Sequence, residues 1–142
     1  MTSSSRQDFN TANIAEFRRT GGTLTAFGDA PVLLLTTTGA RSGQKRVSPM
    51  MYLADEENAR RVYVFASKAG ADTNPAWYHN LVADPEVTVE IGSDTVEATA
   101  HVVDEPERTQ LFDIQAERYP GFRGYEQKTA RVIPVVALEL RR

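Results

Sequence analysis

From Thr36 to Pro49 the chain reads Thr-Thr-Thr-Gly-Ala-Arg-Ser-Gly-Gln-Lys-Arg-Val-Ser-Pro. Arg41, Lys45 and Arg46 place three positive charges beside Gly39, Ser42 and Gly43. Arginine grips a phosphate or a carboxylate through two hydrogen bonds at once. Glycine allows backbone angles that a Cβ resists, so successive amides can turn inward and form a concave anion site. The chemistry on offer is the holding of an anionic group. A Walker A loop is excluded, because the position five after Gly39 is Gln44, where glycine is required, and no Lys-Ser or Lys-Thr pair follows. A solvated hairpin whose cations keep a sheet edge soluble fits the same spacing.

Composition removes several function classes. The net charge of −3 and the lack of a second dense basic cluster argue against a nucleic-acid partner. With no cysteine there is no disulfide, no thiolate nucleophile, no zinc finger and no iron–sulfur ligation. The two histidines, His79 and His101, are too few for a histidine-rich metal site, so no metal is expected. At 142 residues the chain fits one domain with a real core. No apolar run approaches the roughly 20 residues that span a bilayer. The segment Met1–Arg6 lacks the apolar core of a signal peptide, which makes the cytoplasm the expected location.

The elements that must position the cations follow from periodicity. Residues 1–8 are polar and expected to be disordered; residues 9–142 form the domain, which opens with a helix over 9–22. Ile14 and Phe17 share a face of that helix, and Gly21-Gly22 ends it. Val32 to Thr37 reads as a buried strand. Arg46 to Leu53 is a second strand, which Pro49 marks as an edge or a bulge. Arg61 to Ala66 is a third. Ser67 to Thr73 is a loop of small residues, and Asn74-Pro75 opens a helix as cap and first turn, ending before Asp84-Pro85. Val87, Val89 and Ile91 alternate with charge, as do Val96, Ala98, Ala100 and Val102, so the two strands form an antiparallel hairpin. Asp104 caps a further helix with Glu107 at its third position; a loop around Gly121 and Gly124 follows, then a strand from Val132 to Leu140. About six antiparallel strands with short helices between them make an α+β, mainly β, barrel or roll.

Taken together, Leu34–Gly43, Arg46, Pro49, Ser67-Lys68, Asn74-Pro75-Ala-Trp77-Tyr-His-Asn80-Leu81 and Asp84-Pro85 resemble the deazaflavin-dependent nitroreductase family. The resemblance runs over about residues 10–140, in the family's order. It implies a split β-barrel and a coenzyme F420 site, F420 being an 8-hydroxy-5-deazaflavin. On this resemblance Arg41, Ser42, Gln44, Lys45 and Arg46 hold the phosphate and acidic tail of the coenzyme. Pro49 and Met50 line its ring system. Ser67, Lys68 and Ala69, with Asn74, Pro75, Trp77 and Asn80, contact it as well. The resemblance also places a hydrophobic, electron-poor acceptor, such as a quinone, enone or nitro compound, near Tyr52, Ser67, Tyr119 and Tyr125. One of these hydroxyls would donate a hydrogen bond to the acceptor oxygen. Phe122 stands where the nitroimidazole-reducing members are expected to carry a tyrosine.

The implied reaction is hydride transfer from reduced F420. Two other readings fit the same residues: a split barrel using flavin mononucleotide, and a non-catalytic F420-binding protein. A monomer and a homodimer both agree with the resemblance, and the N-terminal helix is open to peripheral membrane contact. Trp77 also reads as a core residue, His79 as a surface histidine, His101 as solvated, and Glu86, Glu90 and Glu97 as one solvated sheet face rather than an acid/base pair. Tyr119, Phe122 and Tyr125 equally read as a stripe that packs a helix onto the barrel.

Overall fold

Strands with continuous apolar runs, at Val32–Thr38, Arg61–Phe65 and Val135–Leu140, are buried on both faces, and those that alternate bury one. In the computed structural model, which describes the backbone of residues 2–142 and the side chains of residues 10–142, seven strands form a single antiparallel sheet. The elements in order are α1 (Thr2–Thr20), β1 (Val32–Thr38), β2 (Lys45–Met51), β3 (Leu53–Ala54), β4 (Arg61–Phe65), α2 (Ala76–Ala83), β5 (Glu86–Ile91), β6 (Asp94–Val102), α3 (Glu107–Arg118), α4 (Gly121–Lys128) and β7 (Val135–Leu140). The sheet order is β2-β1-β5-β6-β7-β4-β3, and it curls into a half-barrel. Thus β7 separates a group of four strands from the pair β4-β3. The two outermost strands, β2 and β3, are separated in sequence by Tyr52 alone, whose amide donates to the Pro31 carbonyl at 3.1 Å. Pro49 lies on β2, an edge strand, as its missing N–H requires.

Alternation sorts the core. Leu33 and Leu35 of β1 meet Val62, Val64, Val89 and Leu138 inside the curl. Val32 and Leu34 point the other way, to Phe17 of α1 and to Leu24. Tyr63 and Phe65 of β4 and Val135 and Ala137 of β7 lie under α3 and α4 with Phe112 and Phe122. Strands buried on both faces carry continuous apolar runs, and each large side chain so buried stabilises the fold by about 1.5–3 kcal/mol.

Helix α1 ends at Gly21 and Gly22, with φ of +75° and +121°. A Cβ on Gly22 would lie 2.8 Å from the Gly92 Cα, so the close approach to the β5–β6 turn requires glycine. Arg18 holds the helix to β5 through two 2.9 Å bonds to Glu90. The backbone of α1 begins at Thr2, within the stretch 1–8 expected to be disordered, while Met1 and the side chains of residues 2–9 lie outside the described residues. Among the described residues no helix is long and apolar enough to cross a membrane.

Four features differ from the sequence reading. Residues 121–128 form a helix, not a loop, because Phe122 is buried against Phe65 at 5.6 Å between ring centres, and this burial overrides two glycines. The short strand β3 adds a seventh member. Val102 is exposed at the end of the β6–β7 ladder, where Val103 instead enters the core. Pro106, not Asp104, occupies the cap position of α3, and the Glu105 carboxylate before it accepts from the Thr109 amide at 3.0 Å and from the Thr109 hydroxyl at 2.7 Å.

The Tyr63 hydroxyl donates to Asp55 Oδ2 at 2.7 Å. Burial first, and this bond second, push its pKa up to about 12. The folded value exceeds the unfolded one of about 10, so the stability Tyr63 contributes is fully present below about pH 10 and is lost as pH rises through the folded value. Urea titrations across this alkaline range should show a steeper loss in the parent than in Tyr63→Phe. Parallel curves would remove Tyr63 as the cause.

Candidate coenzyme site

The β1–β2 turn is built by its own bonds. The Gly39 amide donates to the Gln44 carbonyl at 2.8 Å, and the Gly43 amide to the Gly39 carbonyl at 2.9 Å. Ser42 Oγ accepts from the Gln44 amide at 3.1 Å. Gly43 has φ of +70°, which favours glycine, and a Cβ on Gly39 would lie 2.6 Å from Ser42 Oγ and displace that side chain from the turn. The turn is tied to α2 by Asn80, which is buried. Its Oδ1 accepts from the Ala40 amide at 3.0 Å, and its Nδ2 donates to Thr37 Oγ1 at 3.2 Å.

These bonds correct one expectation. The amides of Gly39, Ala40, Gly43 and Gln44 are taken up inside the turn and by Asn80, so they do not form an open concave donor set. The attraction for an anion comes from side chains. Arg41, Ser42, Lys45 and Arg46 line a cavity of ≈ 1070 Å³. Ala76, Trp77, His79 and Asn80 of α2 form a second wall, and Asn10, Thr11 and Ile14 of α1 a third. Among the described residues no carboxylate lines it. Lys45 Nζ donates to Thr38 Oγ1 at 2.8 Å. Among the described residues Arg41 and Arg46 form no ion pair, whereas Arg18, Arg61, Arg108, Arg118 and Arg123 are all paired. Two unpaired guanidiniums at a cavity whose described lining holds no acid leave a field that favours an anionic ligand.

The other sequence-derived candidates lie elsewhere. Gln44 is exposed on the turn, outside the lining. Met50 is buried in the core inside the curl; Pro49, next to it, is half-buried. Tyr52 packs on that core, and burial raises its pKa. Ser67, Lys68 and Ala69 belong to a tight turn, with Lys68 and Ala69 at φ of 47° and 53°. Asn74 does not cap α2; its Oδ1 accepts from Arg131 Nη1 at 2.7 Å, and Pro75 occupies the cap position. Tyr119 and Tyr125 pack on the core under α3 and α4, the Tyr125 ring 5.3 Å from Phe122. None of these residues lines the cavity. His79 does, although its residue type reads as a surface histidine. The signal was its spacing: Ala76, His79 and Asn80 stand at i, i+3 and i+4 of one helix and so share a face. The α1 wall has no local signal, since nothing near Thr11 or Ile14 marks what it packs beside.

Residues 10–140 match the family described as F420H(2)-dependent quinone reductase. The chain belongs to this family. Within it, the chain is 37% identical over 117 residues to the F420H(2)-dependent quinone reductase Rv1261c of Mycobacterium tuberculosis, across 80% of this chain and 76% of that one. A solved F420-H2 dependent reductase, FDR-A, superposes with a TM-score of 0.68 at 37% identity, over 77% of this chain and 94% of its own. A second solved relative, a domain-swapped dimer, gives a TM-score of 0.70 at 34% identity, over 94% and 99% of the two chains. The split-barrel frame inferred from the motifs is thus shared with F420H(2)-dependent reductases.

Proposed function

We propose that this member of the family is an F420H(2)-dependent reductase of a hydrophobic, electron-poor acceptor such as a quinone, with the coenzyme held in the cavity between the β1–β2 turn and α2. The observation that carries this reading is a roomy cavity lined by Arg41, Lys45 and Arg46, with no carboxylate among the described residues of its lining. The donor set fits the group: a coenzyme tail bearing a phosphate and several carboxylates needs cations without competing acids. When bound, the deazaflavin supplies the hydride.

The chain's own residues bind and orient. Arg41 and Arg46 offer forked donors to planar oxyanions, and Lys45 adds a mobile point charge. The Ser42 hydroxyl sits within the same lining. Asn80 fixes the turn to α2, so the cations and the Trp77 wall keep one mutual arrangement. Trp77 and Ile14 give the cavity apolar surface and exclude water from the side of α1 and α2.

Equilibrium binding of oxidised F420, followed by its fluorescence, with flavin mononucleotide run in parallel, tests the assignment. Saturable binding of the deazaflavin and a weak response to the flavin are expected, followed by oxidation of reduced F420 when a menadione-like quinone is added. Preference for the flavin, or binding without turnover on any quinone, would overturn the reading.

A further inference from the structure

We propose that Arg131 is a positioning residue for this cavity: its guanidinium holds the Ser67–Gly70 turn and the start of α2, and through them sets the place of Trp77. The inference rests on reading the cavity as the coenzyme site.

Arg131 lies between α4 and β7, far from the cavity in sequence. Its Nη2 donates to the Ala66 carbonyl at 3.1 Å and the Ser67 carbonyl at 3.0 Å. Its Nε donates to the Ala71 carbonyl at 2.8 Å, and its Nη1 to Asn74 Oδ1 at 2.7 Å. All four acceptors belong to the one segment from Ala66 to Asn74. A guanidinium presents its donors in a rigid fork, so bonds to several oxygens of one loop fix that loop's shape and not only its location.

The segment needs such a clamp. Lys68, Ala69 and Gly70 follow one another with φ of 47°, 53° and 84°. Two of the three carry a Cβ, and successive left-handed residues persist only where their surroundings over-determine them. The turn's own bonds are few: the Gly70 amide donates to the Ser67 carbonyl at 2.9 Å and the Ala71 amide to the Lys68 carbonyl at 3.1 Å. Arg131 supports it from one side. Helix α4 supports it from the other, where a Cβ on Gly70 would lie 2.9 Å from the Tyr125 carbonyl oxygen.

The clamp reaches the cavity through Asn74. Only Pro75 separates Asn74 from Ala76, the first cavity-lining residue of α2, and Trp77 follows. Helix α2 is therefore tethered at two places, just before its first turn and near its middle. Asn80 binds its second turn to the cationic turn, and Arg131 binds the chain just before its first. Release of the Arg131 tether loosens the Trp77 end while the Asn80 contacts at mid-helix stay.

Trp77 is the sole tryptophan, so its emission reports this helix end alone. The test compares the parent with Arg131→Lys, a cation that cannot reproduce the fork. In coenzyme-free protein that retains its far-UV circular dichroism, acrylamide quenching of Trp77 is expected to rise about twofold. The F420 dissociation constant is expected to rise about tenfold, with kcat at saturating coenzyme within about twofold of the parent. Unchanged quenching and unchanged affinity, with only a lower melting temperature, would overturn the proposal and leave Arg131 a purely structural residue. If Arg131→Lys does not fold, Asn74→Ala, which removes the Nη1 contact, decides by the same two readouts. Failure of the parent to bind F420 would sink the coenzyme assignment, while Trp77 quenching would still decide the positioning role.

Discussion

Replacing Arg41 and Arg46 together with alanine raises the dissociation constant for F420 about 100-fold and changes turnover at saturating coenzyme by less than about threefold. Hydrogen bonds to charged groups contribute about 1.5–3 kcal/mol each. Both guanidiniums are solvent-exposed, so screening places each at the low end, near a tenfold effect per arginine. Neither has a protein carboxylate to fall back on among the described residues, so the loss is of ligand contacts and not of an internal ion pair. A grip on the tail is the same in the ground state and in the transition state. Its removal raises KM and leaves kcat nearly alone. The check is a fluorescence titration at low and high salt, paired with steady-state rates. The parent's affinity should fall with salt more steeply than the variant's. A matching fall in kcat at saturation would count against a tail grip and in favour of a role at the reacting ring.

Phe122→Ala lowers the unfolding free energy by about 3–5 kcal/mol. The side chain is buried, and its ring makes edge-to-face contacts with Phe65, Phe112 and Tyr125 at 5.6, 6.3 and 5.3 Å between centres. Truncation would leave a cavity under α4 that three aromatic rings line and cannot fill. Urea unfolding measures the effect directly. A loss below about 1 kcal/mol would mean that α4 repacks over the gap or contributes little to the core. Phe122→Tyr is the companion: a hydroxyl introduced among these rings has no described partner, and leaving it buried costs about 1–3 kcal/mol.

Much of the sheet was legible because its signals are local. The alternation of Val87, Val89 and Ile91 against Glu86 and Glu90 fixed both the strand and its faces, and Pro49 marked the edge. The clustering of Arg41, Lys45 and Arg46 at one turn was legible from the sequence alone, and all three line the cavity. What the sequence could not display were partners distant along the chain. Gly121 and Gly124 argued for a loop, whereas Phe65, far upstream, supplies the burial that makes α4 a helix. Asn74 has the type and place of a cap, yet Arg131 takes its oxygen. The inward-facing amides expected of Gly39 and Gly43 are consumed within the turn and by Asn80, which lies 40 residues beyond Ala40. His79 is exposed, as its residue type suggested, and its helical register also puts it on the cavity-lining face of α2.

The place of β7 has a consequence for how the protein is made. Strand β4 meets the rest of the sheet only across β7, although it precedes β7 by some 70 positions and is translated well before β5 and β6. As the chain leaves the ribosome, β2, β1, β5 and β6 can pair with one another, while β4 and β3 wait as a separate hairpin. Through the synthesis of α3 and α4, β6 and β4 each present a bare row of amides and carbonyls toward the gap between them. Such rows pair readily with other extended chains. The nascent protein is thus most open to wrong partners just before Val135–Leu140 emerges and closes both edges in one step.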